Sequence, residues 1–259
     1  MIRRNFTILL LFNAILFLIS PESWPVQEEP LTVEQVISWV DKQMTFETRS
    51  AVATMRIIEN KRERIKKMKI FSRGIEDSFM VFESPKRDKG VKFLKIGGNL
   101  WTYFPSTEKV IKISGHLLRQ SMMGSDFSYE DMMESKDLLS SYSGQFLADE
   151  EFEGELCYVI ELVEKVKGTT YPRRKSWICK ETLLPVKEEL YAKTGKLLKV
   201  ITFHDVVQYE NRRYPKRFIM RDMLKKKSMT EFIIDEVKFH IPVPEGIFNK
   251  RNLNRSIQF

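Results

Sequence analysis

Residues 32 to 44 carry apolar side chains at helical spacing, Val33, Val36, Ile37 and Val40, with Trp39 beside them. Thr32-Val33-Glu34-Gln35 opens the stretch with the Thr-x-x-Gln form of a capping box. Together they predict one amphipathic helix. From residue 48 the apolar period changes to two. Ala51, Ala53, Met55 and Ile57 alternate with polar neighbours, then Met68 and Ile70 do the same. Short segments of this kind follow at 78–83, 91–96, 100–104 and 110–113, separated by Gly74, Pro85, Gly90, Gly97-Gly98 and Pro105-Ser106. A second series runs through 145–149, 156–163, 175–180, 186–191, 197–203, 206–209, 217–223 and 231–239. Turns at such intervals predict antiparallel meanders. Lys193-Thr194-Gly195-Lys196 and Glu210-Asn211-Arg212 are the clearest hairpin turns.

No Pro/Gly/Ser linker divides the two series, so the expectation is a mainly β (α+β) chain. Its architecture would be a single strongly curved antiparallel sheet forming an incomplete β-barrel. The stretch 115–139 interrupts the alternation with Leu117, Leu118, Met122, Met123, Phe127, Met132 and Met133. It predicts short helices covering the sheet. Methionine is unbranched and adaptable, which suits a surface that repacks around variable apolar partners. The plainer alternative is a pair of helices that plug one end of the sheet.

Residues 1–23 have the layout of an export signal: Arg3 and Arg4, then an apolar run from Ile8 to Ile19 broken only by Asn13. That run is shorter than the ~20 residues a membrane span needs, although an uncleaved anchor is the alternative. Residues 24–259 are then the folded domain. The formal net charge is +8; without Arg3, Arg4 and Glu22 it is +7, so the basic surplus belongs to the domain. In an exported, oxidising setting Cys157 and Cys179, on neighbouring predicted strands, are either a candidate disulfide or two small buried residues.

The composition offers little for catalysis. Three His and two Cys leave few metal ligands, and no metal site, cofactor or catalytic group is expected. His204-Asp205 stands at a strand end with no other His nearby, Gly124-Ser125-Asp126 is not a nucleophile elbow, and Thr194-Gly195-Lys196 is a hairpin tip rather than a phosphate loop. The basic clusters at 61–69, 212–217, 225–227 and 250–255 suit an anionic membrane surface better than nucleic acid in an exported protein. Solvated strand faces account for much of the same charge.

Several motifs together resemble the LolA-like family of outer-membrane lipoprotein-sorting proteins. They are Trp101-x-Tyr103-x-Pro105, the run Gln120-Ser121-Met122-Met123-Gly124-Ser125-Asp126-Phe127-Ser128-Tyr129-Glu130-Asp131, and Trp177-Ile178-x-Lys180-x-Thr182-x-Leu184-Pro185. Tyr191-x-x-x-Gly195-Lys196, Tyr214-Pro215 and Ile241-Pro242-Val243-Pro244 with Phe248 and Asn252-Leu253 complete the match. The resemblance implies an open half-barrel with an apolar concave side under a helical lid. It also implies a monomeric carrier in the periplasm of a diderm bacterium, holding lipoprotein acyl chains or other lipids without catalysis. Its partners would be an inner-membrane transporter of ABC or RND type and an outer-membrane acceptor. The rival is a signalling or interaction module of the same fold. Candidate lining residues are Met55, Ile57, Met68, Ile70, Phe93, Trp101 and Tyr103 on the sheet, with Leu117, Leu118, Met122, Met123, Phe127 and Met132 on the lid. An arginine that ties sheet to lid is also implied, with Arg56 and Arg73 as candidates.

Overall fold

A computed structural model describes residues 30–134, 138–209, 212–244 and 246–255. The expected export segment lies outside these residues, as do 135–137 of the lid stretch and Glu210-Asn211 of an expected turn. Helix α1 (Val33–Met44) begins as expected: the Gln35 N–H donates to Thr32 Oγ1 at 3.2 Å, and the Thr32 N–H donates to Gln35 Oε1 at 2.9 Å. Its apolar stripe of Val33, Val36, Ile37, Val40 and Met44 is buried.

The first strand series comprises β1 (Thr48–Glu59), β2 (Arg62–Arg73), β3 (Asp77–Ser84), β4 (Lys92–Ile96), β5 (Asn99–Phe104) and β6 (Lys109–Ile113). Two short 3-10 turns follow, Gly115–Arg119 and Met122–Gly124, then helices α2 (Tyr129–Met133) and α3 (Leu138–Ser141). The second series comprises β7 (Tyr142–Phe146), β8 (Glu150–Phe152), β9 (Glu155–Glu164), β10 (Arg173–Cys179), β11 (Pro185–Tyr191), β12 (Leu197–Tyr209), β13 (Arg212–Asp222) and β14 (Ser228–Phe239).

All 14 strands form one antiparallel sheet in the order β6-β5-β4-β3-β2-β1-β14-β13-β12-β11-β10-β9-β7, with β8 also on β9. The two meanders therefore meet in the middle, where the first strand pairs with the last, Met55 opposite Phe232 and Ile57 opposite Thr230. β6 and β7 do not pair, so the sheet stays open. Alternation assigns the faces. Ala51, Ala53, Met55 and Ile57 of β1 and Met68 and Ile70 of β2 enter the main core together with α1 and the lid. Phe71, Phe79, Val81 and Leu94 point the other way, into a second cluster covered by the chain after β14 through Ile241, Ile247 and Leu253. The Lys92 ammonium fastens that cover by donating to the carbonyls of Leu253 (3.0 Å) and Arg255 (2.6 Å).

Three details differ from the pattern of the sequence. Residues 197–209 form one strand: its register with β13 runs unchanged from His204 opposite Arg217 to Val206 opposite Pro215, although Asp205 between them has a φ of 57°. Strand β7 begins at Tyr142, where Gly144 lets α1 approach; a Cβ there would lie 2.5 Å from Val33 Cγ1. The acidic run after it forms β8, with Glu150 accepting from Lys175 Nζ and Trp177 Nε1, both at 2.8 Å. Cys157 and Cys179 face each other in register, buried, with both thiols free. The Lys180 N–H donates to the Leu156 carbonyl beside them, so they occupy a non-hydrogen-bonded position of the ladder.

Candidate functional site

On the concave side, between sheet and lid, lies a cavity of about 360 Å³. Its floor is mostly the second strand series: Ile201 and Phe203 of β12, Phe218 and Met220 of β13, Phe232 and Ile234 of β14. Ile70 and Met80 continue it across β2 and β3, and Met122, Phe127 and Met132 of the lid form its roof. The Phe127 ring meets Phe232 edge-on at 6.2 Å, so one aromatic pair connects roof to floor. Ile201, Phe203, Phe218 and Phe232 are only half-buried, as befits the side on which the cavity opens.

The expected lining divides into three groups. Ile70, Met122, Phe127 and Met132 line the cavity. Met55, Ile57, Met68 and Phe93 lie on the same concave face but are fully buried in the packed core, while Leu117, Leu118 and Met123 pack against that core from the lid. Trp101 and Tyr103 require a correction. They sit on the opposite face of β5 with the second cluster, because side chains alternate and Leu100 and Thr102 take the inward positions. The floor residues of β12 to β14 are the ones that pattern reading passed over.

The lid is held by polar contacts at several points. Asp126 is 1% exposed, and its carboxylate accepts from Thr230 Oγ1 (2.7 Å) and Ser228 Oγ (3.0 Å), while its N–H donates to Thr230 Oγ1 (2.9 Å). Asp131 accepts from the Ser128 N–H at 2.6 Å as the reciprocal arm of the α2 capping box, and also from the Lys199 ammonium and the Tyr171 hydroxyl. Burial, then the neighbouring Asp131, pushes the Tyr171 phenol well above its ordinary range. Arg64 of β2 donates to the Gly124 carbonyl at 3.0 Å, and Lys225 donates to Ser121 Oγ and the Ser125 carbonyl, both at 2.7 Å. Gly124 suits this contact, since a Cβ there would stand 3.0 Å from Arg64 Nη1. Glu134, just after α2, pairs with Arg174 of β10.

Arg56 and Arg73 hold other partners. Arg56 binds Glu63 (2.7 Å) and Glu231 (2.6 Å), and Arg73 binds Asp77 at 3.0 Å and stacks over Phe248. The sheet-to-lid arginines are Arg64 and Arg174. A signal for Arg174 and Lys199 existed in the sequence: each puts a charge at a core-facing parity of its strand.

The groups with a catalytic look are otherwise engaged. Ser125 Oγ is buried and donates to the Met122 carbonyl at 2.7 Å, His204 Nε2 is 2.8 Å from Thr202 Oγ1, and Asp205 binds Arg217 at 2.7 Å. Among the described residues no three His, Cys, Asp or Glu side chains group as metal ligands.

An open antiparallel half-barrel with a pinned helical lid over an apolar cavity defines a binding fold. Comparison with solved structures finds the same architecture. An outer-membrane lipoprotein-sorting protein domain from Vibrio parahaemolyticus is 26% identical, with a TM-score of 0.75 over 85% of this chain and 97% of that one. A DUF1329 family protein from Desulfovibrio piger is 24% identical, with a TM-score of 0.77 over 84% and 96%. A LolA superfamily protein from Nitrosomonas europaea is 24% identical, with a TM-score of 0.70 over 86% and 99%. The model of a family of uncharacterized proteins matches residues 74–255, more than half of the chain. No curated protein matches. The chain belongs to this LolA-like family.

Proposed function

We propose that the protein is a periplasmic carrier that holds acyl chains of lipoproteins or lipids in the cavity and moves them toward the outer membrane without catalysis. The observation that carries this reading is the apolar cavity roofed by Met122, Phe127 and Met132 and bordered by half-buried aromatic side chains. Its volume falls within the ~300–1,000 Å³ of small-molecule sites. Exposing a 16-carbon chain to water costs about 13 kcal/mol at ~0.8 kcal/mol per CH₂, so a site that merely replaces water accelerates transfer between membranes. Family membership and the lipoprotein-sorting relative support the compartment and the class of cargo. Cargo would come from an inner-membrane transporter of the ABC or RND class and pass to an outer-membrane acceptor.

The end of the molecule that approaches a membrane is, in this reading, the β13–β14 tip. Met223 and Leu224 are exposed there, 49% and 57%, followed by Lys225, Lys226 and Lys227. The Asn60 N–H donates to the Lys227 carbonyl at 3.0 Å, which joins this tip to the basic β1–β2 turn at Lys61 and Arg62. Lys225 connects the same tip to the lid.

The test is lipid extraction and native mass spectrometry of protein purified from a periplasmic fraction, with binding of a fluorescent fatty-acyl probe. Wild type should carry extractable lipid, and Phe127→Asp, which puts a charge in the roof, should lose it and weaken probe binding at least about tenfold. A lipid-free protein that also ignores the probe would refute the carrier and favour the interaction module.

A further inference from the structure

The cavity is apolar over most of its wall, but one region of it is ionic. Arg49 of β1, Lys95 of β4 and Arg174 of β10 line the cavity, and so do Asp41, Asp131, Glu134 and Glu188. Lys199 of β12 joins the group through Asp131. A second, polar pocket of about 180 Å³ shares Arg49, Lys95, Asp131 and Glu134 with it. The distribution between elements is uneven. All four cations stand on the sheet, whereas two of the four carboxylates, Asp131 and Glu134, belong to the lid. Closed, the region is balanced. With the lid displaced it holds four cations against Asp41 and Glu188.

Arg174 is the least satisfied member. It is 4% exposed, and its Nη2 meets Glu134 as an ion pair without hydrogen-bond geometry. Nη1 lies 3.8 Å from Glu188, and the buried Nε has no acceptor. The rings of Tyr142 and Tyr171 flank the guanidinium at 5.2 and 5.8 Å. Burial lowers its pKa, against the attraction of Glu188 and then Asp131. A guanidinium offers five donors in a planar fork that matches a carboxylate or phosphate. An internal carboxylate that reaches only one corner of that fork leaves room for a better partner.

We propose that this region is a head-group subsite: Arg174, assisted by Lys199, binds the anionic head, phosphate or carboxylate, of an acyl ligand whose chain fills the cavity. In the closed form Glu134 and Asp131 of the lid stand where that anion would bind. This inference rests on the acyl-carrier reading and adds the charge of the cargo. The ligand's head displaces the lid carboxylates from the sheet cations, so loading and lid release are one exchange of anions. A buried Arg and Lys are then never left without an opposite charge, which would be costly.

Isothermal titration with three ligands of equal chain length, a fatty acid, a monoacyl phosphate and a monoacylglycerol, together with inorganic phosphate alone, tests it. Wild type should bind both anionic ligands about tenfold or more tighter than the neutral one, and free phosphate weakly. Arg174→Met should reduce the preference, read as the ratio of anionic to neutral affinity, to within about twofold. Glu134→Gln, which removes the internal competitor and conserves shape, should tighten the anionic ligands by about threefold. Equal binding of neutral and anionic ligands, or weaker anionic binding by Glu134→Gln, would overturn the subsite and leave the carrier intact. Binding of free phosphate as tight as that of the amphiphiles would reduce the site to one for a free anion and overturn the proposal. If no acyl ligand binds, the carrier reading falls with it. Should Arg174→Met fail to fold, the gain expected from Glu134→Gln decides alone.

Discussion

Asp126 sits in the most distinctive run of the sequence, and its geometry accounts for the residues around it. A carboxylate at 1% exposure needs donors, and Thr230 and Ser228 of β14 supply them across 104 and 102 residues of chain. Asp126→Ala removes this acceptor and leaves the Ser228 and Thr230 hydroxyl protons without it. It is expected to cost about 2–4 kcal/mol in urea unfolding, with faster amide exchange in 121–133 than in the sheet. Cys157 gives a pH dependence. Burial, then the neighbouring Cys179, pushes its thiol up to about 11, above the ~8.5 of an unfolded cysteine. The folded state therefore retains a proton that the unfolded state has released. This stabilisation is complete below pH ~8.5 and is lost as pH rises toward about 11. The Tyr171 phenol, also raised, acts in the same direction. Denaturant midpoints should fall between pH 8.5 and 10.5, and Cys157→Ala should flatten that decline. A slope identical in wild type and variant would show that the thiol does not titrate in this way. Trp101 and Tyr103 show where residue-level reading failed. The resemblance put them on the cavity lining, and parity, which needs the register of β5, puts them half-buried on the other face.

At the scale of elements, the hairpin tips at one end of the sheet combine exposed apolar side chains with lysine. Met223 and Leu224 are too exposed to contribute to the core, and β13 ends just before them. Each basic residue close to an anionic bilayer contributes ~1 kcal/mol. The double variant Leu224→Asp, Lys226→Glu should therefore co-sediment with vesicles rich in anionic phospholipid about tenfold more weakly than wild type. Its affinity for a soluble acyl probe should not change, since neither residue lines the cavity. Unchanged sedimentation would remove the tip from the membrane-facing end. The lid illustrates how elements shorter than two turns are stabilised. Helix α2 has only 5 residues, too few to persist alone. It persists through its capping box, its burial of Tyr129 and the ion pairs of Asp131 and Glu134 with the sheet.

For the molecule as a whole, the period of the apolar residues determined most of the architecture: one capped helix, two meanders of short strands and an interruption rich in methionine between them. These are local properties, because capping, alternation and turn chemistry act within a few residues. The expected strand end at His204-Asp205 failed for the same reason: two consecutive polar residues look like a turn over five residues, whereas the pairing with β13 carries the strand through them. Three things needed the tertiary structure. The meeting of β1 with β14 is a pairing of residues about 180 apart, and it sets which face of each strand is concave. The cavity lies mainly over β12 to β14 rather than under the first meander, because the lid packs Met55, Ile57, Met68 and Phe93 into solid core and leaves Phe203, Phe218 and Phe232 partly open. The ionic region exists only where β10 and β12 bring Arg174 and Lys199 beneath the carboxylates of the lid. The sequence carries charges at inward positions of two strands, a signal that pattern reading passed over. Their partners are fixed by the curvature of a sheet that links distant segments, and that is a long-range property which no local pattern encodes.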